Sequence, residues 1–127
     1  MDSAREYLRA HRYPEHVVAG GLNYLLDGWD AVARSVAAGE VLFQDDYLND
    51  MDGRCILAEM LPNLAPDQQH EAASRIATAD ALIRPHLIST AGCIWGSENE
   101  RRHGYTRDFH WWYYHRPSTV DESWRDF

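Results

Sequence analysis

The chain has 127 residues, of which 45% are hydrophobic and 12% aromatic, so it is long and apolar enough to form one folded domain, which we place at residues 1–127. Its formal net charge of -8 argues against a nucleic-acid partner, because nucleic-acid binding depends on basic side chains that neutralise phosphates. No apolar run approaches the ~20 residues that cross a bilayer and the first residues are too charged for a secretory signal, so we expect a cytoplasmic chain without a membrane partner.

The first predicted helix is short. Ser3 and Glu6 have the spacing of a capping box. In this motif each side chain accepts a hydrogen bond from the backbone amide of the other residue, at the first turn of a helix. The helix is therefore predicted from about residue 4 to Tyr13, and Pro14 ends it.

The second predicted helix is the most regular part of the chain. Apolar residues recur at alternating spacings of four and three over residues 18–36, which places them on one helical face, and Gly39 fits the left-handed stop after the last turn. Gly21 and Gly28 lie inside this pattern. We interpret them as points where another helix approaches closely, with a break of the helix at Gly20-Gly21 as the alternative.

Two further helices follow with the same apolar period. Asp45 or Asp46 can cap the third helix, which is predicted to run through residue 61. Pro66 opens the fourth, whose apolar pattern continues to residue 87 with a kink caused by Pro85. Four amphipathic helices joined by short loops predict a compact bundle over residues 1–91.

The helical period disappears in residues 92–127. Six of the fifteen aromatic residues fall within ten positions there, in a segment that we predict to be extended, with rings on both of its sides. We interpret it as a strap that seals the bundle, with a platform for partner recognition as the alternative. A second capping box at Thr119 and Glu122 predicts a short terminal helix that carries Trp124. The six aromatic residues are Tyr105, Phe109, Trp111, Trp112, Tyr113 and Tyr114.

The predicted fold is thus all-α, a bundle of about four to five helices with an irregular aromatic C-terminal strap. Its strongest charge feature is a run of five carboxylates without a basic residue between positions 40 and 52. This run is interpreted either as a solvated loop and helix start or as a negative face that steers a cationic partner. The carboxylates are Glu40, Asp45, Asp46, Asp50 and Asp52.

The sequence contains no recognisable metal or nucleophile motif. Cys55 and Cys93 belong to no metal-binding pattern, and we expect both to be free thiols. The seven histidines form no HxxxH or HExxH pair, and the chain has no GxSxG. We therefore predict no metal, no other cofactor and no catalytic residue.

One enzymatic alternative remains open at this stage. Asp46, Asp50 and Arg54 fall on one stripe of the third helix, where Asp50 and Arg54 are also placed to form an ion pair. If His110 or His115 converged on this stripe, the chain could be a small helical metal-dependent hydrolase.

A resemblance favours a different function. The run YLNDMDGR at residues 47–54, followed by Leu57 and Glu59, resembles a signature of small uncharacterised bacterial proteins, which also have an upstream tryptophan helix, here with Trp29, and an aromatic end, here residues 111–117. These proteins are similar to the small acidic immunity proteins that accompany bacterial toxins. The resemblance implies a non-enzymatic protein that neutralises a cationic partner, such as a toxin that acts on nucleic acid, and it carries over no catalytic residue.

The sequence therefore supports three hypotheses about function. The leading one is a binding protein for a cationic protein partner, which contacts it through the five carboxylates. The second is the metal-dependent hydrolase. The third is a structural subunit in which the aromatic strap closes a homodimer.

Overall fold

The computed structural model describes residues 2–124 and 127, which form five α-helices, four short 3₁₀ turns and a two-stranded sheet. The helices are α1 (Ser3–Ala10), α2 (Glu15–Ala37), α3 (Gln44–Met60), α4 (Pro66–Ile83) and α5 (Ser97–His103). The strands are β1 (Leu87–Ser89) and β2 (His115–Pro117). The predicted predominance of helix is confirmed, whereas the small sheet makes the fold not purely all-α. Within the described part of the chain, no helix combines the length and apolarity needed to cross a membrane.

Helix α2 lies at the centre of the structure and packs against α1, α3 and α4. The apolar spacing of its sequence produces this position, because residues three and four apart share one face. Its buried side chains belong to a hydrophobic cluster that α3, α4 and the aromatic C-terminal segment complete. Leu22, Leu25, Trp29, Val32 and Val36 are all buried there, as the period predicts.

The backbone of α2 is interrupted at Gly21, where φ is 64° and ψ is -157°. This conformation is open almost only to glycine. Arg5 of α1 caps the break, since its Nε and Nη2 atoms donate hydrogen bonds to the carbonyl oxygens of Val18 at 3.2 Å and Ala19 at 2.8 Å. The predicted break at Gly20-Gly21 is therefore confirmed, and α1 also approaches Gly21 closely, because a Cβ there would lie 3.3 Å from the Arg5 side chain. Close approach at Gly28 is wrong, because a Cβ there would have no atom within 4 Å.

The predicted cap of α1 is also wrong. Asp2 caps the helix, with its Oδ1 accepting a hydrogen bond from the Arg5 backbone at 3.1 Å. Ser3 instead ties α1 to α4, since its hydroxyl donates to Gln68 Oε1 at 2.5 Å and accepts from the Ala65 amide at 2.9 Å. The helix stops at Ala10, earlier than predicted.

The ends of α3 and α4 differ from the prediction by a few residues. Phe43 occupies the N-cap of α3 without a side-chain hydrogen bond, so Asp45 and Asp46 lie in the first turn and neither is the cap. Helix α4 ends at Ile83, so the predicted kinked continuation to residue 87 does not occur. Pro85 explains this end, because proline has no amide hydrogen and clashes with the preceding helical turn.

The C-terminal third contains more structure than predicted. Helix α5 was missed because it buries no side chain and so has no apolar period. The prediction of an extended aromatic segment is wrong for residues 111–114, which form a 3₁₀ turn. Strand β2 follows this turn and pairs antiparallel with β1, with Ile88 opposite Arg116. Trp124 lies in a short 3₁₀ turn, as placed by the prediction, but Asp121 accepts the hydrogen bond from Ser123 that caps it.

Candidate functional site

A cleft of about 550 Å³ opens beside α3, α5 and the aromatic C-terminal segment. Its volume is in the range of small-molecule sites, roughly 300 to 1,000 Å³. Two carboxylates enter it from α3, where positions 52, 55, 56 and 59 share one helical face. Four aromatic rings from other parts of the chain face these carboxylates. The lining includes Asp52, Glu59, Tyr13, Trp95, Tyr105 and Tyr113.

Asp52 is fixed in the wall of the cleft by two donors. Its Oδ1 accepts a hydrogen bond from the Trp95 indole at 2.9 Å and another from the Tyr113 hydroxyl at 2.6 Å. Burial and the bond to Asp52 raise the pKa of Tyr113, so the phenol remains a proton donor. Burial likewise raises the pKa of Tyr13 to about 12. The cleft therefore contains neutral phenols and a rigidly placed carboxylate.

Cys55, Glu59 and His110 form a group at the same wall, with one potential ligand atom from each lying within 4.8 Å of the others. The Cys55 thiol donates to Glu59 Oε1 at 3.5 Å. Burial, followed by the Glu59 charge, raises the pKa of Cys55 to about 12. Both cysteines are free, as predicted, and a thiol with this pKa is not a nucleophile at neutral pH.

The His110 ring is not prepared to bind a metal. The Thr106 amide donates a hydrogen bond to His110 Nδ1 at 3.0 Å. Burial lowers the pKa of His110, so the ring is neutral at neutral pH and its proton lies on Nε2. Neither nitrogen then offers a free lone pair beside Cys55 and Glu59, and the prediction of no bound metal stays a prediction.

A second feature lies at residues 40–46, just before and at the start of α3, where two apolar side chains and three carboxylates are exposed. We call this segment the acidic apolar surface. Val41 is 50% exposed and Phe43 is 55% exposed, and the two lie close together along the chain. Glu40, Asp45 and Asp46 are exposed around them.

The acidic apolar surface is held in place from the C-terminal side. Trp124 donates a hydrogen bond from its indole nitrogen to the Leu42 carbonyl at 2.9 Å. The Gln44 amide donates to Ser123 Oγ at 3.1 Å. The Trp124 ring also packs edge-on against Tyr47 of α3, with centroids 5.2 Å apart. The segment is thus a fixed backbone that directs two apolar side chains outward.

The remaining two predicted carboxylates do not belong to this surface. Asp52 lies in the cleft, and Asp50 is half-buried on α3. Burial, followed by the charge of Asp46, raises the pKa of Asp50 to about 6. The predicted Asp50–Arg54 pair is wrong, because the Arg54 guanidinium makes two hydrogen bonds to Asp80 of α4, at 3.1 and 2.9 Å. The five predicted contact residues are therefore divided among three environments.

The hydrolase hypothesis needs Asp46 and Asp50 beside His110 or His115. His110 lies with the thiol and carboxylate described above, which are about half a helical turn away around α3 from the aspartate stripe. His115 directs Nδ1 at the Trp111 carbonyl, at 2.8 Å. Over residues 2–124 and 127, the structure brings neither aspartate into a three-residue metal-ligand group.

The six residues of the aromatic segment differ in burial. Trp112, Tyr113 and Tyr114 are buried, whereas Phe109 is 52% exposed. Trp111 and Tyr105 are half-buried. Consecutive residues are buried because a 3₁₀ turn inserts them into the core, and the predicted alternation along a strand does not occur.

Sequence reasoning missed most of the cleft. Tyr13 and Trp95 were not candidates, because each comes from a loop and the lining spans residues 13–113. A usable signal was the spacing of Asp52 and Glu59, seven positions apart, which places both acids on one face of a helix.

Comparison of the chain with known protein families, with curated proteins and with solved structures found no match. What the site can do follows from its own groups. The cleft offers carboxylate oxygens, phenol hydroxyls and ring faces, which bind cations and hydrogen-bond donors. The acidic apolar surface offers apolar contact area surrounded by negative charge, which suits a protein partner.

Proposed function

We propose that this chain is a non-enzymatic binding protein that neutralises a basic protein partner, as an immunity protein does for a bacterial toxin. The observation that carries the proposal is the exposure of Val41 and Phe43 between the carboxylates of Glu40, Asp45 and Asp46. Large apolar groups in the centre of a contact provide most of the binding energy, and charges at its rim select the partner.

The rigidity of the surface supports binding. The hydrogen bonds from Trp124 to Leu42 and from Gln44 to Ser123 fix the backbone on both sides of Phe43. A preordered segment loses little conformational entropy when a partner binds, so more of the contact energy remains as affinity. Its exposed side chains are therefore suited to recognition.

The charge of the surface favours a different protein over a second copy of this chain. In a symmetric dimer the same patch lies on both sides of the interface, which would bring Glu40, Asp45 and Asp46 towards their own copies. Like charges at an interface oppose association. A basic partner instead gains from these carboxylates and from the net charge of -8.

The test is capture of the partner with matched variants of the full chain. Phe43→Ser removes the apolar centre, and the double variant Asp45→Arg/Asp46→Arg reverses the rim. Tyr24→Ser is the control, because Tyr24 on α2 is 51% exposed but lies outside both the acidic apolar surface and the aromatic segment. We expect one basic protein to bind the original chain and the control in cell extract and in purified form, and to be lost with both surface variants.

Neutralisation needs a separate measurement. The captured protein is expressed alone and together with this chain in cells that lack both. We expect growth arrest in the first case and growth in the second, with arrest restored by the Phe43→Ser variant. An acidic partner, or capture unaffected by the surface variants, would contradict the binding proposal, and a partner that is harmless alone would contradict neutralisation.

A further inference from the structure

The cleft beside α3 has a chemistry that the acidic apolar surface does not use. We propose that it binds an organic cation with N–H donors, of the guanidinium or alkylammonium type. A cleft of about 550 Å³ contains two carboxylates and four aromatic rings, and among residues 2–124 and 127 neither carboxylate has a cationic partner. This inference is independent of the proposed partner surface at residues 40–46.

The described residues do not compensate the negative charge of the cleft. In the part of the chain that the structure describes, neither Asp52 nor Glu59 forms a salt bridge, and no arginine lines the cleft. Each carboxylate uses one oxygen within the protein, Oδ1 of Asp52 and Oε1 of Glu59. The second oxygen of each remains available to accept hydrogen bonds from a ligand.

The aromatic rings add a second attraction for a cation. Tyr105 packs against Tyr113 with centroids 4.4 Å apart and against His103 with centroids 5.3 Å apart, so the rings form a continuous wall. Trp95 and Tyr13 complete the lining. A cation near such faces is attracted by their π electrons.

The chain already binds one of its own guanidinium groups in this way. Arg54 lies with its guanidinium carbon 4.6 Å from the centroid of the Trp112 ring while it bonds to both oxygens of Asp80. On the other side of α3 the cleft likewise brings rings and carboxylates together, and the described residues supply no arginine to it. A ligand with N–H donors fits better than a quaternary ammonium ion, because it can also satisfy the free oxygens of Asp52 and Glu59.

The position of Asp52 gives the cleft a fixed geometry. Trp95 and Tyr113 hold this carboxylate from two directions, at 2.9 and 2.6 Å. Glu59 is more exposed and lies at the rim. A cation that enters from solvent therefore meets Glu59 first and Asp52 deeper in the cleft. Such a cation can be a free small molecule or the arginine or lysine side chain of a protein.

The experiment is calorimetric titration of the full chain with N-acetyl-arginine methylamide, and with the citrulline analogue as its uncharged isostere. We expect saturable binding of the arginine compound only. Glu59→Gln should weaken it about tenfold or more, because the neutral amide lacks the negative charge that strengthens a hydrogen bond from the cation. Glu71→Gln, at an exposed site of α4, is the matched control and should leave binding unchanged.

Two further ligands distinguish the sources of the cation. Agmatine represents a free small molecule, and a short neutral peptide with one central arginine represents a protein side chain. Tighter binding of agmatine assigns the cleft to a metabolite, and tighter binding of the peptide assigns it to a protein. The proposal is overturned if none of the cations binds, if citrulline binds as well as arginine, or if Glu59→Gln has no effect. Phe43→Ser should not alter these titrations, which separates this test from that of the proposed function.

Discussion

At the scale of single residues, the most consequential contact is the ion pair between Arg54 and Asp80. Arg54 is only 7% exposed, and its guanidinium lies among the rings of Trp29, Trp111 and Trp112. Asp80 Oδ1 accepts hydrogen bonds both from Arg54 Nε, at 3.1 Å, and from the Trp29 indole, at 2.9 Å. One buried group therefore joins α2, α3 and α4.

Replacing Arg54 by Met should destabilise the fold by about 3 to 5 kcal/mol, because Asp80 then keeps a largely buried charge without a cationic partner. Adding Asp80→Asn should restore part of this loss, since the amide oxygen can still accept from Trp29 and no charge remains. Urea unfolding of the two single variants and the double variant measures the effect. Additive losses in the double variant would show that the two residues act independently.

The raised pKa of Asp50 predicts that the stability of the fold depends on pH. This pKa is raised to about 6 in the folded chain, above the usual value near 4. A raised carboxyl pKa means that the folded chain favours the protonated form of Asp50. The stabilisation of the fold by this group is therefore complete below pH ~4 and is lost as the pH rises through about 6. We compare the unfolding free energy of Asp50→Asn with that of the original chain. Between pH ~4 and pH 7 this difference should shift in favour of the variant by about 1 kcal/mol, after allowance for solvent screening. Parallel pH–stability curves would contradict the assignment.

At the scale of elements, two glycines of α2 have opposite roles. Gly21→Ala should cost about 1 to 3 kcal/mol, because alanine rarely adopts its backbone conformation and the new Cβ would approach the Arg5 side chain at 3.3 Å. Gly28→Ala should stabilise by up to about 1 kcal/mol, because this site is helical and open. Thermal unfolding of both variants is the measurement. Equal effects would mean that the break in α2 is not fixed by Gly21.

The aromatic segment offers a matched pair for its structural role. Trp112 is buried, and its replacement by alanine should cost about 3 to 5 kcal/mol because the core cannot close the cavity completely. Phe109→Ala should change stability by no more than about 0.5 kcal/mol, since that ring is 52% exposed. Chemical denaturation compares them. A small loss at Trp112 would favour the interpretation as a recognition platform.

The elements that the sequence predicted best are those with an apolar face. The period at residues 18–36 identified α2, because burial against three neighbours requires that spacing. Helix α5 has no buried residue and left no such pattern. The 3₁₀ turn at residues 111–114 was missed for the opposite reason, since rings buried in succession look the same in a strand and in a turn.

At the scale of the whole molecule, the sequence predicted the acidic residues but not how they are divided between the surface and the cleft. Glu40, Asp45 and Asp46 lie together because they are close along the chain. The cleft combines a loop at Tyr13, two turns of α3, and residues 95–113, and no local pattern encodes this meeting. The cleft arises from the packing of α3 against the aromatic segment, which depends on tertiary contacts.

The acidic apolar surface predicts how association with a basic partner depends on salt. Exposed charges act over a screening length of ~8 Å at ~0.15 M salt and further in dilute buffer, so the association rate should fall as salt rises while the dissociation rate changes little. Asp45→Arg/Asp46→Arg should slow association and flatten this dependence, whereas Phe43→Ser should mainly speed dissociation. Stopped-flow or surface-bound kinetics with the captured partner measure both rates, and unfolding curves check that each variant is folded. An association rate that responds neither to salt nor to the double reversal would remove the steering role of these carboxylates.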